Sequence, residues 1–204
     1  DAPDVTTAVQ AEQKGTGHAV ACGLEGLDEL HGEVVVTYGD VPMLTGETLQ
    51  RMVEVHRERR NLVTVLTAEV EDPTGYGRIL REGEAVVGIV EHKDADEAQR
   101  AVREINSGIY VFDAEALREG VSKLSNDNVQ GEYYLTDVVT MAADGTVEVP
   151  GRGCVGAFRI DDVWQTEGVN DRVQLARMNA EVNRRIVTGW MRAGVTIIED
   201  RKSV

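Results

Sequence analysis

The sequence has little of what would stabilise a disulfide or zinc scaffold. Its two cysteines, Cys22 and Cys154, stand far apart and match no Cys-x-x-Cys spacing, so a disulfide framework and a cysteine zinc site are excluded. A reducing cytoplasm is the simplest compartment. Positive charge is also scarce, because 21 lysines and arginines face 36 acidic residues and leave a formal net charge of -15. Such a chain repels polyanions, so neither nucleic acid nor an anionic membrane is expected as a partner.

Long hydrophobic runs are missing as well. No apolar stretch approaches the ~20 residues needed to span a bilayer, and the opening DAPDVTTAVQ shows neither a secretory leader nor an initiating Met. Aromatic residues make up only 4% of the chain, yet hydrophobic residues reach 42%, so the expected core is built from aliphatic side chains. The 204 residues fit one domain or slightly more, and we interpret them as a piece of a longer polypeptide.

What is present is an alternation of strand-like runs with stretches of helical period. Strands are predicted at 5–10, 33–38 and 62–70, and helices at 17–30 and 45–60. This order is typical of βαβ units, and it predicts an α/β fold with a mostly parallel sheet.

The centre of the chain departs from that alternation. Between 71 and 95, Pro and Gly turn signals precede two short strands, RIL and AVVGIVE, separated by REGE, which predicts an inserted β-hairpin. Further strands are expected at 104–113 and 154–160, and a long amphipathic helix from 170 to 191.

An acid follows the run VVVTY, where a strand is expected to end. In a doubly wound sheet ligands bind outside the carboxyl ends of the strands, which is where Tyr38, Gly39 and Asp40 would lie. Asp40 would suit Mg²⁺, which needs only one or two protein oxygens besides water and phosphate, and Gly39 would let a ligand approach the backbone. The spacing alone equally favours a turn-forming role for Asp40 before Val41-Pro42.

A second loop, QAEQKGTGHA, joins the first predicted strand to the first helix. Gly15 and Gly17 would let backbone N–H groups face an anion or the edge of a base. The pattern matches neither G-x-G-x-x-G nor G-x-x-x-x-G-K-S/T, so the generic phosphate signal is weak. His18 is expected to cap or pack on the first helical turn, and the four histidines show no metal spacing.

Four more loops join Gly or Asn to a strand end or helix start. Each has a structural interpretation: Gly75 and Gly77 as turn residues, Glu91 as a solvated strand end, Asn106 as a bulge and Asn170 as an N-cap. Taken together, the loops indicate a polar, glycine-lined ligand groove.

These motifs, taken in order, resemble one family. The segments QAEQKGTGHA, YGDVPML, EDPTGYGRI, GIVEHKDA, INSGIYVF, GEYYLTD and EGVNDRVQLA run from Gln10 to Ala176. They are similar to the uridyltransferase domain of the bacterial bifunctional N-acetylglucosamine-1-phosphate uridyltransferase / glucosamine-1-phosphate acetyltransferase family. The resemblance implies a Rossmann-like α/β fold, with a mixed, mostly parallel sheet of the sugar nucleotidyltransferase (GT-A-like) type and an inserted β-hairpin.

The resemblance also implies a reaction and its binding residues. UMP would pass from UTP to N-acetylglucosamine 1-phosphate with Mg²⁺, giving pyrophosphate and UDP-N-acetylglucosamine, a peptidoglycan and lipopolysaccharide precursor. The matching positions are Gln10, Gly15, Thr16, Tyr38, Gly39, Asp40, Gly77, Glu91, Asn106 and Asn170. The first three resemble the uracil loop, residues 38–40 the nucleotide and metal loop, and Gly77, Glu91 and Asn106 the sugar site. Asp40, the expected catalytic residue, and Asn170 resemble the two protein ligands of Mg²⁺.

The chain also departs from the family's pattern. It lacks the first βα unit, whose glycine-rich loop, arginine and lysine cradle the triphosphate, and it lacks the left-handed β-helix that carries the acetyltransferase and the trimer contacts. We therefore expect 1–192 to be a partial uridyltransferase domain, 193–204 to begin the connection to the β-helix, and the fragment alone to be inactive and poorly stable. Asp171 stands where the family often has a second Asn, so it would add charge beside the metal.

Two alternatives stay open. The chain could belong to a nucleotidyltransferase for another sugar phosphate, or it could be a non-catalytic module that keeps the sugar-nucleotide groove.

Overall fold

The computed structural model describes residues 5–27, 30–153 and 155–198. Within these ranges the chain forms six strands: β1 (Glu33–Val36), β2 (Val63–Glu69), β3 (Gly77–Glu82), β4 (Ala85–Val90), β5 (Glu104–Asp113) and β6 (Val155–Ile160). The helices of the same ranges are α1 (Thr16–Glu25), α2 (Gly46–Arg59), α3 (Glu97–Arg100), α4 (Ala114–Ser122), α5 (Leu135–Ala143) and α6 (Arg172–Arg192), and a 3₁₀ turn spans Val163–Thr166.

All six strands belong to one sheet, which is organised around β5. The order is β4-β3-β5-β2-β6, and β1 also pairs with β5. On one side β5 pairs with β2, and on the other it pairs with β3 near its start and with β1 near its end. A strand of ten residues is long enough for the two shorter partners to share one of its edges.

The mixed α/β sheet of the expected class is confirmed, but parallel pairing is less frequent than the alternation predicts. Among the described strands only β2 and β6 pair in parallel, and the other four pairings are antiparallel. Strands β1, β2, β3 and β6 nevertheless run in one direction, because β1, β2 and β3 are each antiparallel to β5. The predicted β1–α2–β2 unit therefore exists, with the reversed strand β5 inserted between its two strands.

Two local predictions have opposite outcomes. The inserted hairpin is confirmed as β3 and β4, joined by a turn in which Gly83 takes a φ of +62°. The strand predicted at 5–10 is wrong, because these residues form no ladder and residues 5–9 are exposed. A run of β-forming residues becomes a strand only when its backbone pairs with a neighbouring strand, and residues 5–10 pair with none of the described strands.

Helices cover both faces of the sheet, so the central strand β2 is buried on both faces from Val63 to Ala68. Val65 of β2 belongs to the core cluster that holds Leu117 of α4 and Val138 of α5. The next residue, Leu66, belongs to the cluster on the opposite face, with Met52 of α2. Successive strand residues point to opposite faces, so β2 contributes side chains to both clusters.

The end of the described chain bears on the predicted domain boundary. Helix α6 ends at Arg192, residues 195–198 form no regular element, and 199–204 lie outside the described residues. The interpretation of 193–204 as a connecting segment therefore stays a prediction. Within the described ranges, no helix combines the length and apolar character that crossing a bilayer requires.

Candidate functional site

The loop after β1 carries Asp40 away from the sheet and is anchored on both sides. Val41, the next residue, is 8% exposed and packs in the core cluster beneath α2. The backbone oxygen of Asp40 accepts a hydrogen bond of 2.9 Å from the N–H of Val169. A buried neighbour and a long-range backbone bond hold Asp40 in place, and its carboxylate remains exposed at the carboxyl end of β1.

Asp40 and Asn170 meet at Gly168. A β-carbon on residue 168 would lie 3.5 Å from Oδ2 of Asp40 and 3.7 Å from Nδ2 of Asn170. Glycine leaves this space free, so the carboxylate and the carboxamide can both face it. A half-turn of the carboxamide would present its Oδ1 there instead of Nδ2.

Asp171 takes the capping role that the sequence leaves open for Asn170. Its Oδ1 accepts hydrogen bonds from the N–H groups of Val173 and Gln174, at 2.8 and 2.7 Å, at the start of α6. The N–H of Asn170 donates to Oε1 of Gln174. The carboxylate of Asp171 is therefore engaged with the helix, and the side chain of Asn170 makes no capping bond.

Asp40 and Asn170 line a cleft of about 400 Å³. Its other lining residues are Tyr38, Val41, Thr74, Gly75, Tyr76, Ser107, Thr166, Glu167, Gly168 and Gln174. A larger concavity of about 770 Å³ lies between β6 and the β3–β4 hairpin and contains none of the predicted site residues. Volume therefore does not locate the predicted site, whereas the convergence of loops does.

Two glycines bring the predicted sugar residues close to Tyr38. Gly108 has a φ of +79°, and a β-carbon there would lie 2.3 Å from Cε2 of Tyr38, so the tyrosine ring rests on the bare backbone. Gly77 pairs with Asn106 across β3 and β5, and its missing β-carbon would lie 3.4 Å from Cβ of Asn106. A side chain at residue 108 would displace the Tyr38 ring, whereas a β-carbon at residue 77 would require only a small shift of Cγ2 of Ile89, 3.2 Å away.

Hydrogen bonds fix the carboxamide of Asn106. Its Nδ2 donates to the hydroxyl of Tyr110 at 2.7 Å, and its Oδ1 accepts from the N–H of Gly108 at 3.0 Å. Tyr110 is 1% exposed, and burial raises the pKa of its hydroxyl, which stays protonated. The predicted bulge is present, since the β2–β5 register shifts between Val65 and Thr67, opposite this segment.

Glu91 is less exposed to solvent than its interpretation as a solvated strand end predicts. Burial raises its pKa, although a hydrogen bond of 3.1 Å from the hydroxyl of Thr136 acts in the opposite direction. The pKa of Tyr38 is raised by burial and then by the negative charges of Glu91 and Asp40. Tyr38 thus lies within electrostatic reach of both carboxylates and connects them.

The loop before α1 is folded back on itself and on the start of α5. Nε2 of Gln10 lies 3.1 Å from the carbonyl of Gly15 and 3.0 Å from Nδ1 of His18, so the histidine ring is hydrogen-bonded within the loop. Gly15 has a φ of +100°, and a β-carbon there would lie 2.6 Å from the carbonyl oxygen of Tyr133. Only glycine fits this approach.

The first turn of α5 joins this loop to Glu91. Oγ1 of Thr16 accepts a hydrogen bond of 3.1 Å from the N–H of Leu135, and the next residue, Thr136, donates to Glu91. The start of α5 therefore contacts both the Thr16 loop and Glu91.

Sequence reasoning missed residues that line or support the cleft. Tyr76, Ser107 and Glu167 line it, and Tyr133 and Thr136 hold the predicted loops. The sequence identifies the segments that contain these residues as candidates, namely GYGRI, INSGIY, EGVNDR and GEYYLTD. No spacing rule indicates which of their side chains face a ligand. That choice depends on how the loops meet.

The donor set at Gly168 fits a hard divalent cation. Carboxylate and carboxamide oxygens are ligands that Mg²⁺ accepts, and this ion keeps several waters and binds substrate phosphate oxygens. Among the described residues there is no group of three or more His, Cys, Asp or Glu side chains arranged for a metal. Asp40 and Asn170 could therefore hold Mg²⁺ together with a phosphate ligand, but they do not form a closed all-protein site.

Comparisons with known proteins agree with the resemblance noted in the motifs. Over 199 residues the chain is 98% identical to the "Bifunctional protein GlmU" of Cutibacterium acnes, with 98% of this chain and 48% of that protein covered. Over 201 residues it is 54% identical to the protein of the same name from Paenarthrobacter aurescens, covering 97% and 39%. The chain thus spans about half the length, or less, of these curated relatives.

Solved structures support the fold. A Bacillus anthracis protein assigned as a glucose-1-phosphate thymidylyltransferase, in complex with sucrose, aligns with a TM-score of 0.62 at 19% identity, covering 86% of this chain and 63% of that one. A UDP-glucose pyrophosphorylase complexed with UDP-glucose aligns with a TM-score of 0.55 at 20% identity, covering 74% and 56%. The model of the family described as "Nucleotidyl transferase" matches residues 2–165. The chain therefore belongs to the nucleotidyl transferase family.

Proposed function

We propose that the full-length protein carrying this chain transfers UMP from UTP to N-acetylglucosamine 1-phosphate, with Mg²⁺ as its cofactor, and releases pyrophosphate and UDP-N-acetylglucosamine. The observation that supports this most strongly is the meeting of Asp40 and Asn170 at Gly168, in a cleft that Tyr38 also lines. High identity to relatives named for a bifunctional protein adds to it.

In this proposal Asp40 and Asn170 place the reacting phosphates. A phosphate oxygen of the sugar substrate attacks the α-phosphorus of UTP, the new P–O bond forms, and the bond to the β-phosphate oxygen breaks as pyrophosphate leaves. The attacking oxygen is already ionised, so neither residue has to remove a proton. The oxygens of Asp40 and Asn170 would hold Mg²⁺, which supplies charge neutralisation for the phosphates when bound.

The remaining residues divide between the two substrates. Gln10, Gly15 and Thr16 would recognise uracil, because their loop presents backbone groups and a hydroxyl at the start of α1. Tyr38 and Gly39 would face the nucleotide. Gly77, Glu91 and Asn106 would hold the sugar, since Glu91 and the fixed carboxamide of Asn106 offer acceptors and donors for its hydroxyl and amide groups.

Parts of the proposal concern the whole protein. We propose that the triphosphate cradle and a β-helical acetyltransferase domain lie elsewhere in the full-length chain, that this domain assembles it as a homotrimer, and that it works in the cytoplasm. We also propose that residues 1–204 alone turn over negligibly, because no basic loop for the triphosphate lies among the predicted site residues.

Pyrophosphate release by the full-length protein tests this function. With UTP and N-acetylglucosamine 1-phosphate we expect turnover that needs Mg²⁺ and falls about 100-fold or more in Asp40→Asn, since a ligand that positions phosphate charge is lost. Asp161→Asn, which changes an exposed acid after β6, is the matched control and should keep wild-type activity.

Three outcomes would contradict the proposal. Faster turnover with another sugar 1-phosphate would favour the alternative nucleotidyltransferase, and binding of UDP-N-acetylglucosamine without turnover would favour the non-catalytic module. Full activity of Asp40→Asn would remove Asp40 from the metal site.

A further inference from the structure

Arg78 is the largest fully buried side chain of the described chain, and it is a cation. It follows Gly77 in β3 and is 1% exposed. Burial, followed by the nearby charge of Arg100, lowers the pKa of its guanidinium. A charge taken out of water costs several kcal/mol unless it is paired, so a buried arginine calls for a role beyond filling space.

The partners of Arg78 are two backbone carbonyls and a ring nitrogen of His92. Nη1 donates to the carbonyl of Tyr76, and Nη2 lies 3.2 Å from Nδ1 of His92 and 3.4 Å from the carbonyl of Arg100. Among the described residues Arg78 forms no ion pair with a carboxylate, and its Nε is buried without a hydrogen-bond partner. Asp72 attracts the guanidinium only from beyond ion-pair distance, so a direct salt bridge does not explain why an arginine stands here.

What the three contacts share is their place at the open end of the hairpin. In the β3–β4 ladder, Arg78 pairs with Val90, and no pairing is present beyond that position. Past this point the chain continues in one direction into Gly77 and Tyr76, and in the other into Glu91 and His92. The backbone ladder does not hold these four residues to one another.

The side chain of Arg78 continues the connection where the ladder stops. One end of the fork holds Tyr76, on the loop that lines the cleft, and the other holds His92, directly after Glu91. Arg100 reinforces the second contact, because its Nε donates to the carbonyl of His92 at 3.3 Å. A planar guanidinium can reach several acceptors at fixed angles, whereas the ammonium of lysine is a single point.

We propose that Arg78 is a positioning residue, whose fork holds the Tyr76–Gly77 segment and the Glu91–His92 segment at the separation that sugar binding requires. The proposal rests on the proposed function, in which Gly77 and Glu91 contact the sugar phosphate. Arg78 itself does not line the cleft. Its effect should therefore fall on the sugar phosphate and spare UTP.

The test compares Arg78→Met and Arg78→Lys in the full-length protein, with KM measured separately for each substrate. Both variants should raise KM for N-acetylglucosamine 1-phosphate about 10- to 100-fold and leave KM for UTP within about 2-fold, because a displacement near 1 Å of binding groups is costly. Arg81→Met, on the same strand but paired with Glu104, is the control and should change neither value.

Hydrogen exchange gives a second readout that does not depend on catalysis. Amides of 72–77 and 91–95 should exchange about 10-fold faster in both Arg78 variants, while those of β2 and β5 keep their protection. If the wild type shows no turnover, the proposed function fails and the exchange result alone decides the part that Arg78 plays. If Arg78→Met does not fold, Arg78→Lys decides.

Two results would overturn the inference. If Arg78→Lys kept the wild-type KM values for both substrates and the wild-type hydrogen exchange, a positive charge without the planar fork would be sufficient to position the two segments. Equal changes in both KM values, with exchange faster throughout the domain, would show that Arg78 serves only general stability.

Discussion

The ring of Tyr38 occupies the space that a side chain on residue 108 would need. Gly108→Ala adds a β-carbon 2.3 Å from Cε2 of Tyr38 at a φ of +79°, so the ring must move. We expect the affinity for UDP-N-acetylglucosamine to fall about 10-fold or more, which calorimetry would measure. Gly83→Ala, at a φ of +62° in open space, adds similar backbone strain without the clash and should bind normally. Equal losses in both variants would show that strain, and not the position of Tyr38, is responsible.

Asn170 and Asp171 are neighbours with separate roles, so their variants should have separate effects. Asn170→Ala should abolish most activity and leave stability within about 0.5 kcal/mol of wild type, because its side chain makes no capping bond. Asp171→Ala should cost about 1 kcal/mol of stability through loss of the α6 cap, and Asp171→Asn should restore it. Pyrophosphate release and urea unfolding would be measured in parallel. Loss of activity in Asp171→Asn would mean that this carboxylate takes part in the site.

Gly15 is expected to be irreplaceable for a steric reason. Gly15→Ala places a β-carbon 2.6 Å from the carbonyl oxygen of Tyr133 at a φ of +100°, so we expect a loss of about 1–3 kcal/mol in the free energy of unfolding and weaker binding of UTP. Gly26→Ala is the control, because its φ is -85° and nothing lies within 4 Å of the added carbon. A normal melt and normal UTP binding in Gly15→Ala would contradict the close packing of this loop on α5.

The carboxylate of Glu91 should lower the stability of the fold while it contributes to binding of the sugar phosphate. Burial raises its pKa above that of the unfolded chain, so the ionised carboxylate destabilises the fold at neutral pH, and this cost disappears as pH falls through the folded-state value. Glu91→Gln should therefore unfold at a higher temperature at pH 7.5, with a gap to wild type that narrows toward pH 4, and its KM for the sugar phosphate should rise. The exposed Glu82→Gln is the matched control. A lower melting temperature for Glu91→Gln would refute the assigned burial cost.

His56 should make folding sensitive to acid. It is fully buried, its Nδ1 contacts the hydroxyl of Thr64 at 3.0 Å, and burial lowers its pKa from 6.5 to about 4. Between those values the unfolded chain holds a proton that the folded chain excludes, so stability falls as pH drops from 6.5 toward 4, by roughly 3 kcal/mol in total. Urea unfolding of wild type and His56→Gln at pH 7.5, 6 and 5 should show a difference that shrinks with acidity. His31→Gln should keep the wild-type dependence of the free energy of unfolding on pH, because His56 is intact. If His56→Gln kept that dependence too, His56 would not be its source.

Local patterns predicted the elements better than their arrangement. The α/β class, the β3–β4 hairpin, α2 and α6 follow from periodicity and turn residues, and the structure confirms them. The prediction of a strand at 5–10 was wrong because these residues pair with none of the described strands, and β propensity alone does not supply a partner. The prediction that most strand pairs would be parallel was wrong. The alternation of strands and helices indicates the direction of each strand, but the order of the strands in the sheet decides which of them pair. Strand β5 lies between β1 and β2 and runs antiparallel to both.

In the candidate site, too, some features follow from the sequence and others only from the tertiary structure. The sequence by itself determined which residue types stand at the candidate positions, namely an acid at Asp40, an amide at Asn170 and glycines at 15, 77 and 108, because side-chain chemistry is a property of single positions. Tertiary structure alone decided that Asp40 faces Asn170 across Gly168, that Asp171 and not Asn170 caps α6, and that Arg78 joins Tyr76 to His92. The approach of Asp40 to Asn170 and the contact of Arg78 with His92 join segments that are separated in sequence, and they depend on strand order and on how each loop leaves the sheet, which no local pattern encodes.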